Sequence, residues 1–546
     1  MDFELIALGD VLWLTIAFVL GLLSRTVGLP PLVGFLAAGF ALNLYGFAGG
    51  EILQKLSDVG ITLLLFVVGL KLNPRTIAQP QVWAVSGLHM AIVVPLFGAV
   101  IYGLVLLGVP LLSDLDLYQS LLLAFALSFS STVFVVKVLE DKGQTTALHG
   151  RIAIGILIMQ DLAAVAFLAA ATGKWPTYWA LLVLLVFPLR PVLAFLLRQA
   201  GHGELLVLYG ILLALGGAQL FELVGIKGDL GALVLGALIA NHTKADELAK
   251  IMLSFKDLFL LAFFLSIGLS GQVTLETVLI GVAIAPFACL KSAFFFGLLS
   301  AFKLRARTSL IASFNLGNFS EFGLIVVAIG VSNGWINGAW LIVIAIALSL
   351  SCAISACLNI GADRIYTRYQ TLWKGIQRSE FVAEDQPLDI GMATIVVIGM
   401  GRIGTGAYDS MHALYGGVVV GVDIDPETVQ RHQTAGRMVL CGDAGDPDFW
   451  ERVQATHALQ LVMLTLPNLA ANLAVIERLK TASFSGQVAA AARFQDETEP
   501  LEQAGASTVF SVYAKAGSGF AAQVKEETPF LARRQTDASL DSRINR

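Results

Sequence analysis

The stretch Ile152–Ala171 reads IAIGILIMQDLAAVAFLAAA, and it decides how the rest of the chain is interpreted. Its apolar run of about twenty residues is long enough to cross a bilayer. One carboxylate, Asp161, lies at its centre beside Gln160. Because an ionised carboxylate is costly in hydrocarbon, a chain retains one there only with a partner or a function. We expect Asp161 to be a site where a cation and a proton compete. The alternative is an aspartate held by neighbouring donors for helix packing.

Composition divides the chain into two parts. Of the 546 residues, 56% are hydrophobic and 14% are charged, with a mean hydropathy of +0.77. A soluble protein carries about 25% charged residues. The apolar excess lies before about residue 360. The predicted fold is therefore an all-α polytopic membrane domain followed by an α/β Rossmann-like domain. The predicted divisions are a membrane domain over 1–362, a linker over 363–391, a nucleotide-binding regulatory domain over 392–510 and a short, disorder-prone tail over 511–546.

The membrane domain is predicted to contain about thirteen transmembrane helices. The expected spans are 5–24, 31–47, 53–71, 82–108, 117–139, 150–172, 177–197, 204–224, 226–241, 256–271, 276–302, 308–332 and 336–361. Lysine and arginine residues are concentrated on alternate loops, and such loops face the cytoplasm. An odd number of spans then places the N-terminus outside and the soluble domain in the cytoplasm.

Two of the spans are interrupted by polar residues. Ser128-Phe-Ser-Ser-Thr132 places hydroxyl groups at membrane depth, and the segment SFNLGNFSEFG over 313–323 does the same with Asn318 and Glu321. Irregular backbone at this depth persists only inside protein or beside a water-lined cavity. Paired interruptions in two halves of a chain indicate an inverted-repeat transporter. Two ordinary kinked helices are the alternative.

Lys291 is the remaining membrane charge, and it lies too far from either end of its span to reach the interface. We expect its partner to be an acid of the same core. An ion pair with Asp161 would be displaced by an arriving cation, whereas an ion pair with Glu321 would be structural.

Several membrane segments together resemble one transporter family. They are LPPLVGFLAAGFAL, LSDVGITLLLFVVGLKL, SFSSTVFVVKVLED, GRIAIGILIMQDLAAV, LAFFLSIGLS and FNLGNFSEFGLIV. They look like the monovalent cation:proton antiporter-2 family and, within it, the Kef-type potassium efflux systems. The resemblance implies a homodimer in which a core bundle moves against a dimerisation scaffold. It implies ion-binding or transport roles for Asp161, Gln160, Lys291, Thr132, Ser131, Glu321 and Asn318.

Asp161 offers a single carboxylate, which holds either one proton or one monovalent cation. This predicts one-for-one, electroneutral exchange. That stoichiometry changes if Lys291 also releases a proton in each cycle. Potassium as the transported ion follows from the family resemblance alone, and sodium remains open.

The soluble half carries a dinucleotide-binding pattern. The apolar strand Thr394–Ile398 leads into Gly399-Met-Gly401-Arg-Ile-Gly404, a helix follows, and a second strand ends at Asp423. Glycines after a strand let the backbone approach a phosphate at a helix N-terminus, and the later acid binds ribose hydroxyls. Further strands are expected at 438–441, 461–465 and 487–491, with Asp443 after the first of them. A Rossmann fold that binds nothing is the alternative.

Residues 393–510 resemble the potassium transport nucleotide-binding domains, also called regulator of conductance domains. The resemblance implies dimerisation, an adenine nucleotide such as AMP or NAD(H), and in the Kef-type systems glutathione or its adducts at arginines. Arg402 and Arg493 match those arginines. The loop over 241–257 mixes acidic and basic residues where the Kef systems have an acidic loop, which weakens the expectation of glutathione gating.

The sequence thus predicts a potassium:proton antiporter of the inner membrane, regulated by a small molecule bound to its cytoplasmic domain. Its expected partners are a second copy, the bilayer and an ancillary protein, and no nucleic acid. A basic and aromatic segment over 362–381 is expected to be an interfacial helix, with a solvated linker as the alternative. A ligand-gated potassium channel would need a carbonyl-lined filter such as TVGYG, which the sequence lacks. A membrane-anchored NAD-dependent enzyme would need a substrate domain.

Overall fold

The computed structural model describes most of the chain, and the chain divides into two compact units. The described residues are 8–26, 31–47, 50–71, 78–108, 112, 115–171, 188–224, 228–240, 242–270, 273–378, 380–386, 388–456 and 458–527. The first unit comprises Met1–Val138 and Arg151–Phe381, and the second comprises Leu139–Gly150 and Val382–Arg546.

The secondary structure of the first unit consists of helices, with no strand among its described residues. Its helices are α1 Leu8–Thr26, α2 Pro31–Leu44, α3 Glu51–Leu70, α4 Pro80–Leu106, α5 Leu117–Ser128, α6 Thr132–Asp141, α7 Leu148–Ala171, α8 Arg190–Gln199, α9 Glu204–Leu223, α10 Gly228–Ile239, α11 Ala245–Ser270, α12 Leu275–Ile284, α13 Phe287–Ala301, α14 Ala306–Leu316, α15 Glu321–Ser332, α16 Ala339–Arg368 and α17 Gln370–Ile376.

Among the described residues, eight helical segments are long and apolar enough to cross a membrane: α3, α4, α7, α9, α16, the part of α11 over Glu247–Leu269, and two segments that each join consecutive helices, Leu117–Glu140 (α5 with α6) and Leu275–Ala301 (α12 with α13). A ninth span results if α14 and α15, which meet at a bend of 40°, count together. Three shorter apolar helices, Trp13–Thr26, Pro31–Leu44 and Leu230–Ile239, fall below that length. The expected span over 177–197 lies mostly outside the described residues. The multi-pass architecture is confirmed, and the total of thirteen stays a prediction.

The helices pack as two groups. In one group α2, α3, α9, α10 and α11 pack side by side, with α1 on α2. In the other, α4 packs on α5 and α13, and α16 packs on α12, α14 and α15. The first group relies on close backbone approach, because a Cβ at Gly69 of α3 would collide with the backbone of α10 at Leu233. Small residues at such crossings let membrane helices pack tightly.

Both predicted interruptions are confirmed. The first broken span stops at Ser128 and resumes as α6 at Thr132, and the second stops at Leu316 and resumes as α15 at Glu321. The two broken spans meet where α15 packs against α5, and we call this place, with the two breaks, the crossing. A Cβ at Gly323 would collide there with the carbonyl oxygen of Ala126. Each broken span therefore brings one helix C-terminus and one helix N-terminus to the crossing.

The basic and aromatic segment after the last span is helical. The helix α16 continues to Arg368, and α17 follows from Gln370. Trp373 of α17 donates its indole N–H to the carbonyl oxygen of Ile365 at 3.3 Å and packs edge-on against Phe296. The start of the predicted linker is thus packed onto the helical unit.

The second unit contains a six-stranded parallel sheet with helices on both faces. Its elements are β1 Ile395–Ile398, α18 Arg402–Tyr415, β2 Val419–Asp423, α19 Pro426–Thr434, β3 Val439–Cys441, α20 Pro447–Thr456, β4 Leu461–Leu464, α21 Leu469–Thr481, β5 Gln487–Ala492, α22 Thr498–Ala504, β6 Thr508–Ser511 and α23 Val512–Glu527. The strand order is β3-β2-β1-β4-β5-β6. Side chains alternate across β1: Ile395 and Val397 face one core cluster, and Val396 and Ile398 face the other.

The five predicted strands are confirmed, and β6 is a sixth that the sequence analysis did not predict. The expectation that the tail is disordered from residue 511 is wrong for Val512–Glu527, which form α23. Apolar residues recur along that helix at Tyr513, Phe520 and Val524, a spacing that the sequence analysis overlooked. Residues 528–546 of the predicted tail lie outside the described residues.

Candidate ion site and nucleotide site

Asp161 is buried in the middle of α7. The residue is only 2% exposed, and its Oδ2 accepts a hydrogen bond from Thr132 Oγ1 at 3.2 Å. Thr132 is the first residue of α6, so the carboxylate lies beside the start of a half-helix. Helix N-termini carry partial positive charge that favours an anion. The crossing therefore offers Asp161 one hydroxyl donor and a favourable helix end.

Gln160 holds the backbone of the first break in place. Its Nε2 donates to the carbonyl oxygen of Ser128 at 3.2 Å, and its Oε1 accepts from the backbone N–H of Ser130 at 2.9 Å. These two main-chain groups lost their helical partners where the span unwinds. The amide replaces those partners, because buried backbone groups without hydrogen bonds are costly. Gln160 thus shapes the site beside Asp161.

Glu321 lies at the first position of α15 and is 1% exposed. Its Oε2 accepts from Ser131 Oγ at 3.0 Å and from Ser320 Oγ at 3.4 Å. Its Oε1 has no hydrogen-bond partner among the described residues. Ser131 and Thr132 are consecutive residues, so one break of the chain contacts both buried carboxyl groups.

Asn318 connects the two breaks. Its Oδ1 accepts from the backbone N–H of Ser131 at 2.7 Å, and its Nδ2 donates to the carbonyl oxygen of Asn315 at 2.7 Å. The side chain thereby binds Ser131, the residue that precedes α6, from the opposite span, while Ser131 Oγ itself accepts from the backbone N–H of Phe134 in the first turn of α6 at 3.3 Å. The two interrupted spans form one hydrogen-bonded unit.

Lys291 does not form the ion pair that the sequence analysis expected with Asp161 or Glu321. Its ammonium group donates to main-chain oxygens of Phe129 at 2.5 Å, Asn318 at 2.8 Å and Leu127 at 3.5 Å. The expectation considered only acidic side chains as partners. At the crossing, the carbonyl groups at the C-terminal ends of α5 and α14 carry partial negative charge and compete for the cation.

The crossing therefore separates charge by helix polarity. The buried lysine lies at the two helix C-termini, and the buried carboxyl groups of Asp161 and Glu321 lie at the two helix N-termini. This arrangement compensates each buried charge with helix ends and short polar contacts. In the described part of the chain, no lysine forms an ion pair or a hydrogen bond with the Asp161 carboxylate, an arrangement compatible with an exchangeable cation.

The glycine turn of the second unit follows β1, beside the point where the strand order reverses between β1 and β4. Ligands of open parallel sheets bind at this point. Gly399 has φ +90°, and a Cβ there would crowd the backbone of Thr465. Gly401 precedes the first residue of α18, and a Cβ at Gly401 would meet nothing within 4 Å. At Gly404 a Cβ would collide with the carbonyl oxygen of Gly399. The three glycines thus provide a tight turn, an open approach to a helix N-terminus and close packing.

Asp423 ends β2 beside this turn. Its Oδ2 accepts from the backbone N–H of Met400 at 2.6 Å, and its Oδ1 accepts from the backbone N–H of Asp425 at 2.9 Å. Each carboxylate oxygen has a second lone pair, so the residue keeps capacity for ribose hydroxyls. Asp443 follows β3 at the same edge of the sheet, where its Oδ1 accepts from the backbone N–H of Gly445 at 2.7 Å.

Arg402 and Arg493 are both exposed at the carboxyl ends of strands. Arg402 begins α18 directly after the glycine turn, and Arg493 follows β5, two strands away from β1. The residues of this edge fit a nucleotide: the N-terminus of α18 would receive phosphate, and Asp423 would receive ribose. The two guanidinium groups suit an anionic ligand.

Comparison with known proteins agrees with this geometry. The family model described as "Sodium/hydrogen exchanger, transmembrane" matches residues 14–359, more than half of the chain. The chain belongs to this exchanger family. A second family model, the TrkA-N domain, matches residues 395–512. The exchanger is thus a multi-pass membrane transporter rather than an enzyme, with a TrkA-N domain of Rossmann type as its second unit.

The matches to curated relatives extend over both units of this chain. Glutathione-regulated potassium-efflux system protein KefC of Cronobacter sakazakii is 26% identical over 507 residues, covering 88% of this chain and 78% of the relative. KefC of Salmonella arizonae is 27% identical over 508 residues, with the same coverage of 88% and 78%. Among solved structures, the sodium proton antiporter MjNhaP1 from Methanocaldococcus jannaschii has a TM-score of 0.47 and 13% identity, covering 66% of this chain and 97% of that one.

The structure adds residues to the exchanger's nucleotide edge that the sequence analysis missed. His432 Nε2 is 2.9 Å from the carbonyl oxygen of Met400, and Thr465 Oγ1 donates to the carbonyl oxygen of Gly399 at 2.5 Å. Both side chains therefore support the glycine turn. Thr465 is detectable from sequence as the residue that follows a strand. His432 gives no such signal, because its position depends on how α19 packs.

An ion pair between Arg437 and Asp409 lies next to His432. Arg437 Nη1 lies 3.4 Å from His432 Nδ1, while Arg437 Nε and Nη2 donate to Asp409 at 2.7 and 2.8 Å. The hydrogen bond from Arg437 lowers the pKa of the Asp409 carboxyl below its ordinary value, and the same bond raises the pKa of Arg437.

Proposed function

We propose that the exchanger moves one potassium ion outward for one proton inward, with both ions competing for the Asp161 carboxylate. The observation that carries the proposal is the burial of Asp161 at the crossing, where Thr132 is the only side chain among the described residues that hydrogen-bonds to it. A carboxylate in this position is stable when neutralised by a proton or by a cation, and unfavourable when empty. The transport core can therefore switch between its inward-open and outward-open forms when Asp161 carries a proton or a cation, but not when its carboxylate is empty.

The contacts of Lys291 support electroneutral exchange. Its ammonium donates to three main-chain carbonyl oxygens, and a neutral amine would lose most of that stabilisation. A lysine that stays charged throughout the cycle delivers no proton. Asp161 then exchanges one charge for one charge.

Potassium as the substrate is supported by the printed names of the relatives, which are potassium-efflux proteins. The proposal also includes a homodimer, an inner-membrane location and a cytoplasmic TrkA-N domain, as the family resemblance of the sequence implies. The distribution of lysine and arginine on alternate loops supports an external N-terminus. An ancillary protein partner belongs to the same proposal.

Regulation is proposed to act through the nucleotide edge. AMP or NAD(H) would place phosphate on the open N-terminus of α18 near Gly401 and ribose at Asp423, with Asp443 at the same edge. Glutathione or an adduct would place its carboxylates on Arg402 and Arg493. The bound ligand sets how freely the transport core moves.

The decisive experiment uses full-length protein in liposomes that contain a pH dye, with the membrane potential clamped. Potassium and sodium are added in turn to the wild type and to Asp161→Asn. Glu276→Gln serves as the matched control, because Glu276 is an exposed carboxylate of the same unit. We expect potassium-driven proton movement in the wild type and the control, and its loss to background in Asp161→Asn.

Two outcomes contradict the proposal. Normal exchange by Asp161→Asn would make the carboxylate structural. Potassium flux without proton movement would favour the ligand-gated channel, and equal rates with sodium would widen the substrate to both cations.

A further inference from the structure

A single residue, Tyr369, separates α17 from α16, the last long helix of the first unit. The preceding helix is a candidate membrane span of 30 residues. Its length of about 45 Å equals the thickness of a bilayer together with both headgroup regions. The C-terminal end of α16, and α17 directly after it, are therefore expected at the level of the lipid headgroups.

The exposed face of α16 changes from apolar to basic toward this end. Cys357 and Ile360 are exposed, and Arg364 and Arg368 follow them on the same helix and are exposed as well. The four residues are spaced by three or four positions, so they lie on one face. Ile360 is 82% exposed, which suits contact with acyl chains. The two arginines lie one and two turns further along, where basic side chains reach headgroups.

The next residues expose an apolar stripe. Tyr369 is 50% exposed, Leu372 is 55% exposed and Ile376 is 52% exposed. Positions three and four apart share a helix face, so the three side chains lie together. Large apolar side chains that lie together in water are unfavourable, whereas the boundary between headgroups and acyl chains accommodates them. The stripe is thus suited to the membrane surface.

Three contacts hold this segment on the first unit. Trp373 of α17 packs edge-on against α13, with its ring centroid 5.2 Å from that of a phenylalanine. After the helix, Gln377 Oε1 accepts from the backbone N–H of Ala306 at 3.0 Å. Glu380 Oε2 pairs with Lys303 Nζ at 2.7 Å. These contacts fix α17 on both sides, so the exposed stripe is a defined surface rather than part of a loose linker.

Gln377 also connects this segment with the second broken span. Ala306 is the first residue of α14, and the first N–H groups of a helix have no partner within it. The Gln377 amide oxygen satisfies one of them. At its other end α14 leads to Asn318, which binds the crossing. A ligand that fixes α17 should therefore also stabilise the helical unit against unfolding.

We propose that this junction of α16 and α17 binds anionic lipid headgroups of the bilayer. We call the exposed residues that form the site the junction surface; they are Arg364, Arg368, Tyr369, Leu372 and Ile376. The two guanidinium groups bind headgroup phosphates, and the apolar side chains lie at the first acyl carbons. The proposal concerns lipid binding and not transport, so it can fail or hold independently of the proposed exchange.

Two observations favour the bilayer over a protein partner. The arginines continue the face that carries the exposed Ile360 of a membrane span, and their charge complements an anionic membrane surface. The apolar stripe has three side chains, which is small for a stable protein interface of about 800 Å² per partner. It is sufficient to hold a short helix at the headgroup boundary.

The test measures lipid binding by thermal stability, with full-length protein in a neutral detergent. Anionic dioleoylphosphatidylglycerol or zwitterionic dioleoylphosphatidylcholine is titrated in, and the unfolding temperature is followed by scanning fluorimetry. Inorganic phosphate is titrated in a parallel series. The charge variant combines Arg364→Gln with Arg368→Gln, and the apolar variant combines Leu372→Ser with Ile376→Ser.

Each variant has a control that removes the same chemistry elsewhere. Lys250→Gln with Arg431→Gln removes two exposed basic side chains. Leu414→Ser with Met438→Ser removes two apolar side chains that are 75% and 58% exposed on the second unit. All substituted positions are exposed, so each variant is expected to fold.

We expect phosphatidylglycerol to raise the unfolding temperature of the wild type by about 2 °C or more, and phosphatidylcholine to raise it by less. Basic residues at the surface strengthen binding to anionic lipid, so the charge variant should need about tenfold more phosphatidylglycerol for half of the maximal shift. The apolar variant should respond less to both lipids. Both controls should respond like the wild type, and added salt should weaken the response to phosphatidylglycerol.

Each of four results overturns the proposal. Equal stabilisation of the wild type by the two lipids would show that the junction surface does not select anionic headgroups. A charge variant that responds like its control would place the anionic lipid elsewhere, and an apolar variant that responds like its control would remove the membrane boundary from the site. The same shift with inorganic phosphate would make the junction surface a site for a soluble anion.

Discussion

The crossing in the membrane unit and the glycine turn in the TrkA-N domain both depend on helix ends, but they use them in opposite ways. At the crossing, the chain's own side chains occupy the helix ends: Lys291 binds the carbonyl groups, and Glu321 and Asp161 lie at the N-termini. At the glycine turn, the N-terminus of α18 carries no side-chain cap, and the space above Gly401 is open. A helix end buried in hydrocarbon must be satisfied internally. One that faces solvent can remain available for a ligand.

This difference explains how the two sites handle charge. At the crossing, the buried charges of the chain are balanced by helix ends of the chain itself. A small cation that replaces a proton there changes the net charge of the site very little. The edge at the glycine turn presents an open helix N-terminus and the exposed Arg402 and Arg493, so it favours an anionic group of a ligand. Three substitutions test the contrast.

Lys291→Met should have the largest effect. It leaves the main-chain oxygens of Phe129 and Asn318 without their cation, in a place that water does not reach freely. Removing one partner of a buried charged contact costs about 3 kcal/mol or more. We expect loss of exchange and a lower unfolding temperature of the full-length protein in detergent, measured by scanning fluorimetry.

The control for Lys291→Met is Lys250→Met, because Lys250 is exposed on α11. Unchanged stability and exchange in Lys291→Met would show that the helix ends at the crossing need no internal cation. The contrast between the two sites would then fail.

Gly401→Val should have an intermediate effect, confined to the ligand. The backbone at Gly401 has φ −71°, which any residue can adopt, and a Cβ there meets no protein atom within 4 Å. The added side chain should therefore block phosphate without disturbing the fold. We expect AMP or NAD(H) binding to weaken by about tenfold or more, measured by calorimetry.

Gly406→Val is the matched control, since Gly406 lies one turn further along α18 and is equally open. If both variants bind nucleotide like the wild type, the N-terminus of α18 is not where the phosphate binds. Normal binding by the control alone supports the open helix end.

Asp409→Asn should have the smallest effect. It removes the exposed carboxylate that pairs with Arg437 behind His432. Exposed ion pairs contribute little, so we expect the unfolding temperature at pH 7 to fall by about 1 °C or less. The native pKa of Asp409 is lowered, so the pair stabilises above the ordinary carboxyl pKa of about 3.9, and that stabilisation is lost as the pH falls through the lower native value.

Scanning fluorimetry at neutral and acidic pH checks this sign, with the exposed Asp496→Asn as control. A difference from the wild type that grows on acidification would contradict the assigned pair. A large loss of nucleotide affinity in Asp409→Asn would instead show that the pair positions the glycine turn through His432.

The sequence by itself determined the architecture, because hydropathy and the glycine motif are local signals. Apolar runs located the membrane helices, hydroxyl and amide clusters located both broken spans, and the strand-turn-helix pattern located Gly399, Gly401 and Gly404.

Only the tertiary structure decided which groups meet. Lys291 binds carbonyl oxygens of residues more than 160 positions away, rather than the acids that its charge suggested. Gln160 supports the backbone of one break, and Asn318 binds the backbone of that same break from the opposite span. Main-chain groups have the same composition in every sequence, so their role as partners appears only when a helix end is exposed by the fold. Composition and spacing therefore identified the charged residues of this exchanger, while the packing of helix ends determined what neutralises them.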